Sequence, residues 1–65
     1  MNDPRKAGGR YWSKAWNTTY EVVSLDRTHK WSDGFVGIME YRWVGSGQMT
    51  TFGWLEWEDG DRVLT

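Results

Sequence analysis

The chain contains no cysteine, so no disulfide can staple it and no Cys-x-x-Cys zinc site can form. It has one histidine, His29, beside Lys30. Cys/His nucleophilic sites are therefore absent, and a Ser-His-Asp site would rest entirely on that one residue. The only proline, Pro4, lies in a polar segment from Met1 to Gly9 that ends in Gly8-Gly9. Such a composition rarely orders by itself, and residues 1–9 are expected to form a flexible N-terminal tail ahead of a single small β-domain, residues 10–65. No eleven-residue stretch places apolar residues at i, i+3, i+4 and i+7, which removes the amphipathic helix. The first thirty residues have no apolar run, and no segment is long and apolar enough to span a membrane. A cytoplasmic location without membrane partners is the expectation, with the Asn17-Thr18-Thr19 sequon a turn that carries no sugar.

Charge of one sign is lacking too. The net charge is −1, with residues 1–31 at +3 and residues 32–65 at −4. A nucleic-acid-binding domain usually shows a clustered basic excess, which this chain does not have overall. Neither Gly8-Gly9 nor Gly45-Ser46-Gly47 is followed by the lysine and helix of a phosphate loop. Glu56, Glu58, Asp59 and Asp61 lack the spacing of a calcium loop, and Asp59-Gly60 reads as turn chemistry. No cofactor and no metal are expected.

What the sequence does have is aromatic mass. Six tryptophans, three tyrosines and two phenylalanines stand among 65 residues. Each buries roughly 150–250 Å², and a core this small cannot hide them all. The longest strand-forming stretch, Phe35 to Trp57, reads as a hairpin folded on Gly45-Ser46-Gly47 and closed at Val44 and Gln48. That register sets Trp43 opposite Met49, Tyr41 opposite Thr51, Met39 opposite Gly53, Gly37 opposite Leu55 and Phe35 opposite Trp57. This face carries no charge and sets large residues against small ones, so Phe35, Met39, Tyr41, Trp43, Met49, Leu55 and Trp57 are expected inside. The other face sets Arg42 opposite Thr50, Glu40 opposite Phe52, Ile38 opposite Trp54 and Val36 opposite Glu56.

The remaining segments fit the same class. Arg10 to Trp16 reads as a short strand or one helical turn, followed by a turn at Asn17-Thr18. Thr19 to Asp26 is a strand with two largely apolar faces, expected to be an inner strand or one that turns a barrel corner. Arg27 to Gly34 reads as a polar loop in which Trp31 either takes part in binding or folds back on the end of the sheet. Glu58 to Asp61 makes a tight turn, and Arg62 to Thr65 a last strand in which Val63 or Leu64 closes the sheet. The expected fold is all-β, a small single-domain antiparallel sheet or barrel of four to five strands around the hairpin 35–57.

Tyr20-Glu21-Val22-Val23-Ser24-Leu25-Asp26, followed by Leu55-Glu56-Trp57-Glu58-Asp59-Gly60 and Arg62-Val63-Leu64, resembles the strand order of SH3-like small barrels. The Trp-Glu-Asp-Gly turn is similar to that of Tudor-type modules. The resemblance implies a strongly bent five-stranded barrel that binds peptides, modified side chains or nucleic acid. The hairpin is long for such a barrel and no aromatic set matches a Tudor cage, so architecture alone carries over.

Function is expected to be non-catalytic binding of another macromolecule, first of all a protein. Ile38, Arg42, Phe52 and Trp54 form a sheet face too polar for core and too aromatic to be idle, and Trp12 and Trp31 complete the candidate binding set. An alternative is single-stranded nucleic acid stacked on sheet aromatics, with Arg5, Lys6, Arg10, Lys14 and Arg42 along the phosphates. A third reading makes the same face a homodimer seam, or a seat for Tyr11, Trp12 and Trp16.

Overall fold

The computed structural model describes residues 3–46 and 50–64. It is all-β, with β1 at Arg10–Ser13, β2 at Thr18–Lys30, β3 at Val36–Trp43, β4 at Thr51–Gly53 and β5 at Arg62–Val63. The strands form one antiparallel sheet in the order β4-β3-β2-β1-β5. No ladder joins β4 to β5 among the described residues, so of the two architectures expected this is the open sheet. β5 lengthens the sheet at the edge of β1 and does not close it.

The expected hairpin register is present where β3 meets β4: Met39 pairs with Gly53, Glu40 with Phe52 and Tyr41 with Thr51. Its second arm is shorter than expected, because pairing stops at Gly53 and residues 54–57 leave the ladder. Gly47, Gln48 and Met49, on which the turn and one core position were placed, lie outside the described residues. Strand β2 is the central strand, and it runs to Lys30 where a loop was expected from Arg27. It is not regular to its end. Asp26 accepts hydrogen bonds from the Thr28 amide at 2.9 Å and its hydroxyl at 2.7 Å, a local turn. Pairing shifts there between Asp26 with Ile38 and Lys30 with Val36, and a second shift lies at Val23. The connection to β3 is therefore only residues 31–35.

Strand alternation divides the aromatics. Tyr11 and Tyr20 face one side with Trp43, while Trp12 faces the other with Thr19 and Arg62. Tyr11, Tyr20, Val22 and Met39 are fully buried, with Leu25, Tyr41, Trp43, Trp54, Leu55 and Trp57 packed around them. Edge-on ring pairs bind this layer, Tyr11 with Trp57 at 5.9 Å and Tyr20 with Trp43 at 5.7 Å. Met39, Tyr41, Trp43, Leu55 and Trp57 lie on the side expected for them. Phe35 does not: it precedes β3, outside the ladder that would have turned it inward, and is 65% exposed.

A single sheet needs something over its apolar face. Here residues 54–57 and the N-terminal segment supply it. From Asp3 onward the segment read as a tail lies on the sheet: Gly8 donates to the Val22 carbonyl at 2.8 Å, and Val22 donates to that of Gly9 at 3.0 Å. Tyr11 fixes it further by accepting from the Lys6 amide at 2.8 Å. Gly9 passes so close that a Cβ there would sit 2.2 Å from the Tyr11 hydroxyl oxygen. Gly9→Ala is expected to destabilise the fold by about 2–3 kcal/mol, the cost of overpacking a buried site. An unchanged thermal midpoint in differential scanning calorimetry would refute this.

Candidate functional site

The six side chains expected to bind occupy three places. The outer face of the sheet is crossed by an ion-pair ladder: Glu21 accepts a hydrogen bond from Arg42 and lies 3.8 Å from the Arg10 guanidinium. Glu40 accepts from the Thr50 hydroxyl at 2.6 Å. Half-buried Ile38 and exposed Phe52 lie to the β3–β4 side of these charges. Trp12 lies on the far side, in a shallow hollow with Arg62 and Leu64. The ladder runs between Trp12 on β1 and the pair Ile38 and Phe52 on β3 and β4, with Arg42 part of the ladder itself.

Trp54 is not on that face. Beyond Gly53 the chain is free of the ladder, alternation no longer applies, and the indole packs on the core side. It rests against Gly37, whose Cα would place a Cβ 3.0 Å from the ring. Gly37 has φ +112°, a backbone state side-chain-bearing residues rarely adopt, and it stands opposite the irregular end of β2. Gly37 thus provides both the bend and the space.

The result is a cleft at the end of the sheet, of about 360 Å³, lined by Trp31, Asp33, Phe35, Val36, Gly37, Trp54 and Glu56. Its outer wall is a tight turn. Trp31 donates its amide to the Phe35 carbonyl at 2.8 Å, and Gly34 donates to that of Trp31 at 3.1 Å. The Asp33 carboxylate accepts from the Phe35 amide at 3.1 Å. The Trp31 indole N–H donates to the Gly37 carbonyl at 2.7 Å and the ring meets His29 edge-on. Trp31 therefore folds back on the sheet and also lines the cleft, at 39% exposure. The structure joins two residues expected to bind, Trp31 and Trp54, to five that were not: Asp33, Phe35, Val36, Gly37 and Glu56. The available signal was Gly37, since a glycine inside a strand marks close approach of another group.

Behind Trp54 lies a second feature. Arg5 is 3% exposed. Its guanidinium carbon sits 5.2 Å from the Trp54 ring centroid and 5.7 Å from that of Trp57. It donates to the Tyr20 hydroxyl at 3.0 Å and to the Asp3 carboxylate at 2.7 Å. Arg27 donates to the Arg5 carbonyl at 2.8 Å, pairs with Asp3 at 3.4 Å, and lies 5.8 Å from the Trp54 ring centroid. No buried side-chain polar atom among the described residues lacks a partner, which is what makes this burial of charge tolerable.

The carboxyl of Asp3 follows from this setting. Burial acts to raise its pKa, but hydrogen bonds from Arg5 and the charges of Arg5 and Arg27 outweigh it, and the pKa falls below the ordinary 3.8. A depressed folded-state pKa contributes stability that is present above the unfolded value and lost as pH falls through the folded one. Asp3→Asn is therefore expected to flatten the decline in stability below about pH 4. Parallel acid limbs for the two proteins in urea unfolding at stepped pH would contradict this.

Among the described residues no three His, Cys, Asp or Glu side chains group as a metal site, and no helix is long and apolar enough to cross a membrane. Comparison with family models, curated proteins and solved structures gives no match.

Proposed function

We propose that this protein is a non-catalytic module that binds a segment of another protein in the cleft between Trp31, Phe35 and Trp54. The supporting observation is the exposure of Phe35: a hydrogen-bonded turn holds its ring out at the mouth of an apolar cleft, 65% exposed, next to Val36 at 52%. Leaving such a residue in water forgoes roughly 1.5–3 kcal/mol of burial. Rigid aromatic anchors around a concave apolar site are the usual carriers of binding energy.

The nucleic-acid reading has less behind it. Of the five basic residues assigned to phosphates, Arg5 is buried against Asp3, and Arg10 and Arg42 face Glu21.

Trp31→Ala and Phe35→Ala are expected to weaken capture of a protein partner at least about tenfold each, the effect of a central anchor. Phe35→Ala should leave the thermal midpoint nearly unchanged, its ring being 65% exposed, whereas Trp31→Ala also gives up the indole hydrogen bond to Gly37 and should cost about 1 kcal/mol without unfolding the protein. Phe52→Ala, on the outer face, should leave capture intact. Affinity capture with nuclease-treated and untreated arms, read by mass spectrometry, checks all three. Partners retained by both cleft variants, or lost only after nuclease, would reject the reading.

A further inference from the structure

The group around Arg5 is a built guanidinium site, and the chain's own N-terminal segment occupies it. We propose that Trp54, Trp57 and Tyr20 receive the guanidinium of an arginine-bearing polypeptide, with Arg5 as its intramolecular stand-in. The proposal rests on the reading of the protein as a protein-binding module, and names the chemistry of one side chain that the module accepts.

Four observations carry it. Two indoles lie within cation–π range of one guanidinium, at 5.2 and 5.7 Å, a planar delocalised cation being the group best suited to stack there. The Tyr20 hydroxyl supplies an acceptor at 3.0 Å. The carboxylate that neutralises the cation, Asp3, belongs to the same segment as Arg5, so the sheet contributes the Tyr20 hydroxyl and residues 54–57 the two indoles, with no ion pair to Arg5 from either. An incoming segment must therefore bring an acidic residue with its arginine, as Asp3-Pro4-Arg5 does. Finally, Trp54 also lines the open cleft, which makes the guanidinium site continuous with the surface assigned to the partner.

Arg5 holds the site at the effective concentration of a tethered ligand, about millimolar for a short link. A segment from another chain competes against that, and emptying the site should expose it. The full-length Arg5→Ala protein is titrated with methylguanidinium, with methylammonium as control. The thermal midpoint of the variant should rise with methylguanidinium alone, while wild type stays unchanged. The peptide Asn-Asp-Pro-Arg-Lys-Ala should bind the variant at least about tenfold more tightly than it binds wild type, where Arg5 competes. The same peptide with alanine for arginine should not bind. Arg5→Lys keeps a cation over the rings without the planar fork, and supplies a folded variant that should still prefer the arginine peptide. If Arg5→Ala is unfolded, regain of its near-ultraviolet circular dichroism on adding methylguanidinium is the expected result. Equal effects of the two cations, or of the two peptides on both variants, would overturn the proposal. Trp31→Ala in the Arg5→Ala background should leave the methylguanidinium response in place, so failure of the cleft reading and failure of this one give different results.

Discussion

Arg5→Ala is expected to cost about 3 kcal/mol of folding free energy, the scale for removing a buried, hydrogen-bonded charge. At roughly 4–8 °C per kcal/mol for a domain of this size, that lowers the thermal midpoint by roughly 12–24 °C. Three losses add to the effect. The Tyr20 hydroxyl loses its charged donor, and the Asp3 carboxylate loses the nearer of its two arginines. The indoles of Trp54 and Trp57 lose the plane they pack on. Total stability for 65 residues is of the order of 3–10 kcal/mol, so the variant stands close to unfolding. Asp3→Asn should cost less, about 2 kcal/mol: the buried guanidinium loses its counter-charge, but the carboxylate is partly solvated and an amide oxygen still accepts from Arg5. Tyr20→Phe, which removes one neutral acceptor, should cost least, about 1 kcal/mol. Urea unfolding of the three variants reports the order. An Arg5→Ala midpoint equal to wild type would show that residues 3–9 rest on the sheet without holding it.

The register of β3 and β4 was legible because it is arithmetic on adjacent residues: once the turn is placed, each pair follows, and large faced small at Met39 and Gly53. The same arithmetic misplaced Phe35 and Trp54. Alternation binds a side chain to a face only while the backbone stays in the ladder, and both residues lie just beyond its ends. The cleft was half legible for this reason. Trp31 and Trp54 drew attention as aromatics, whereas Asp33, Phe35 and Glu56 enter only through the tight turn and the early end of β4. Arg5 was not legible at all. An arginine in a polar stretch beside proline and glycine reads as solvated. Its burial depends on Tyr20, Trp54 and Trp57, which no local pattern connects to it.

Gly37→Ala should damage both the fold and the cleft. At φ +112° an alanine is strained, by about 1–3 kcal/mol. Its Cβ would stand 3.0 Å from Cε3 and 3.1 Å from Cζ3 of Trp54, a buttress that cannot yield without leaving its seat. Moving the indole disturbs the ring stacked on Arg5 and removes one wall of the cleft. Shifting the Gly37 backbone instead weakens the carbonyl that anchors the Trp31 indole. A combined loss of about 2–4 kcal/mol is expected, with a red-shifted tryptophan emission in the folded variant as Trp54 gains water. Gly53→Ala is the matched control: it sits in the neighbouring strand, its Cβ would meet nothing within 4 Å, and its φ is not in the positive range. That change should be near neutral, or stabilising by up to about 1 kcal/mol through the unfolded chain. If Gly37→Ala and Gly53→Ala unfold at the same denaturant concentration and capture a partner equally well, Gly37 is an ordinary strand glycine. If only the first fails in both measurements, the missing side chain at Gly37 is what allows a loop tryptophan to leave the outer face, cover the sheet and shape the cleft.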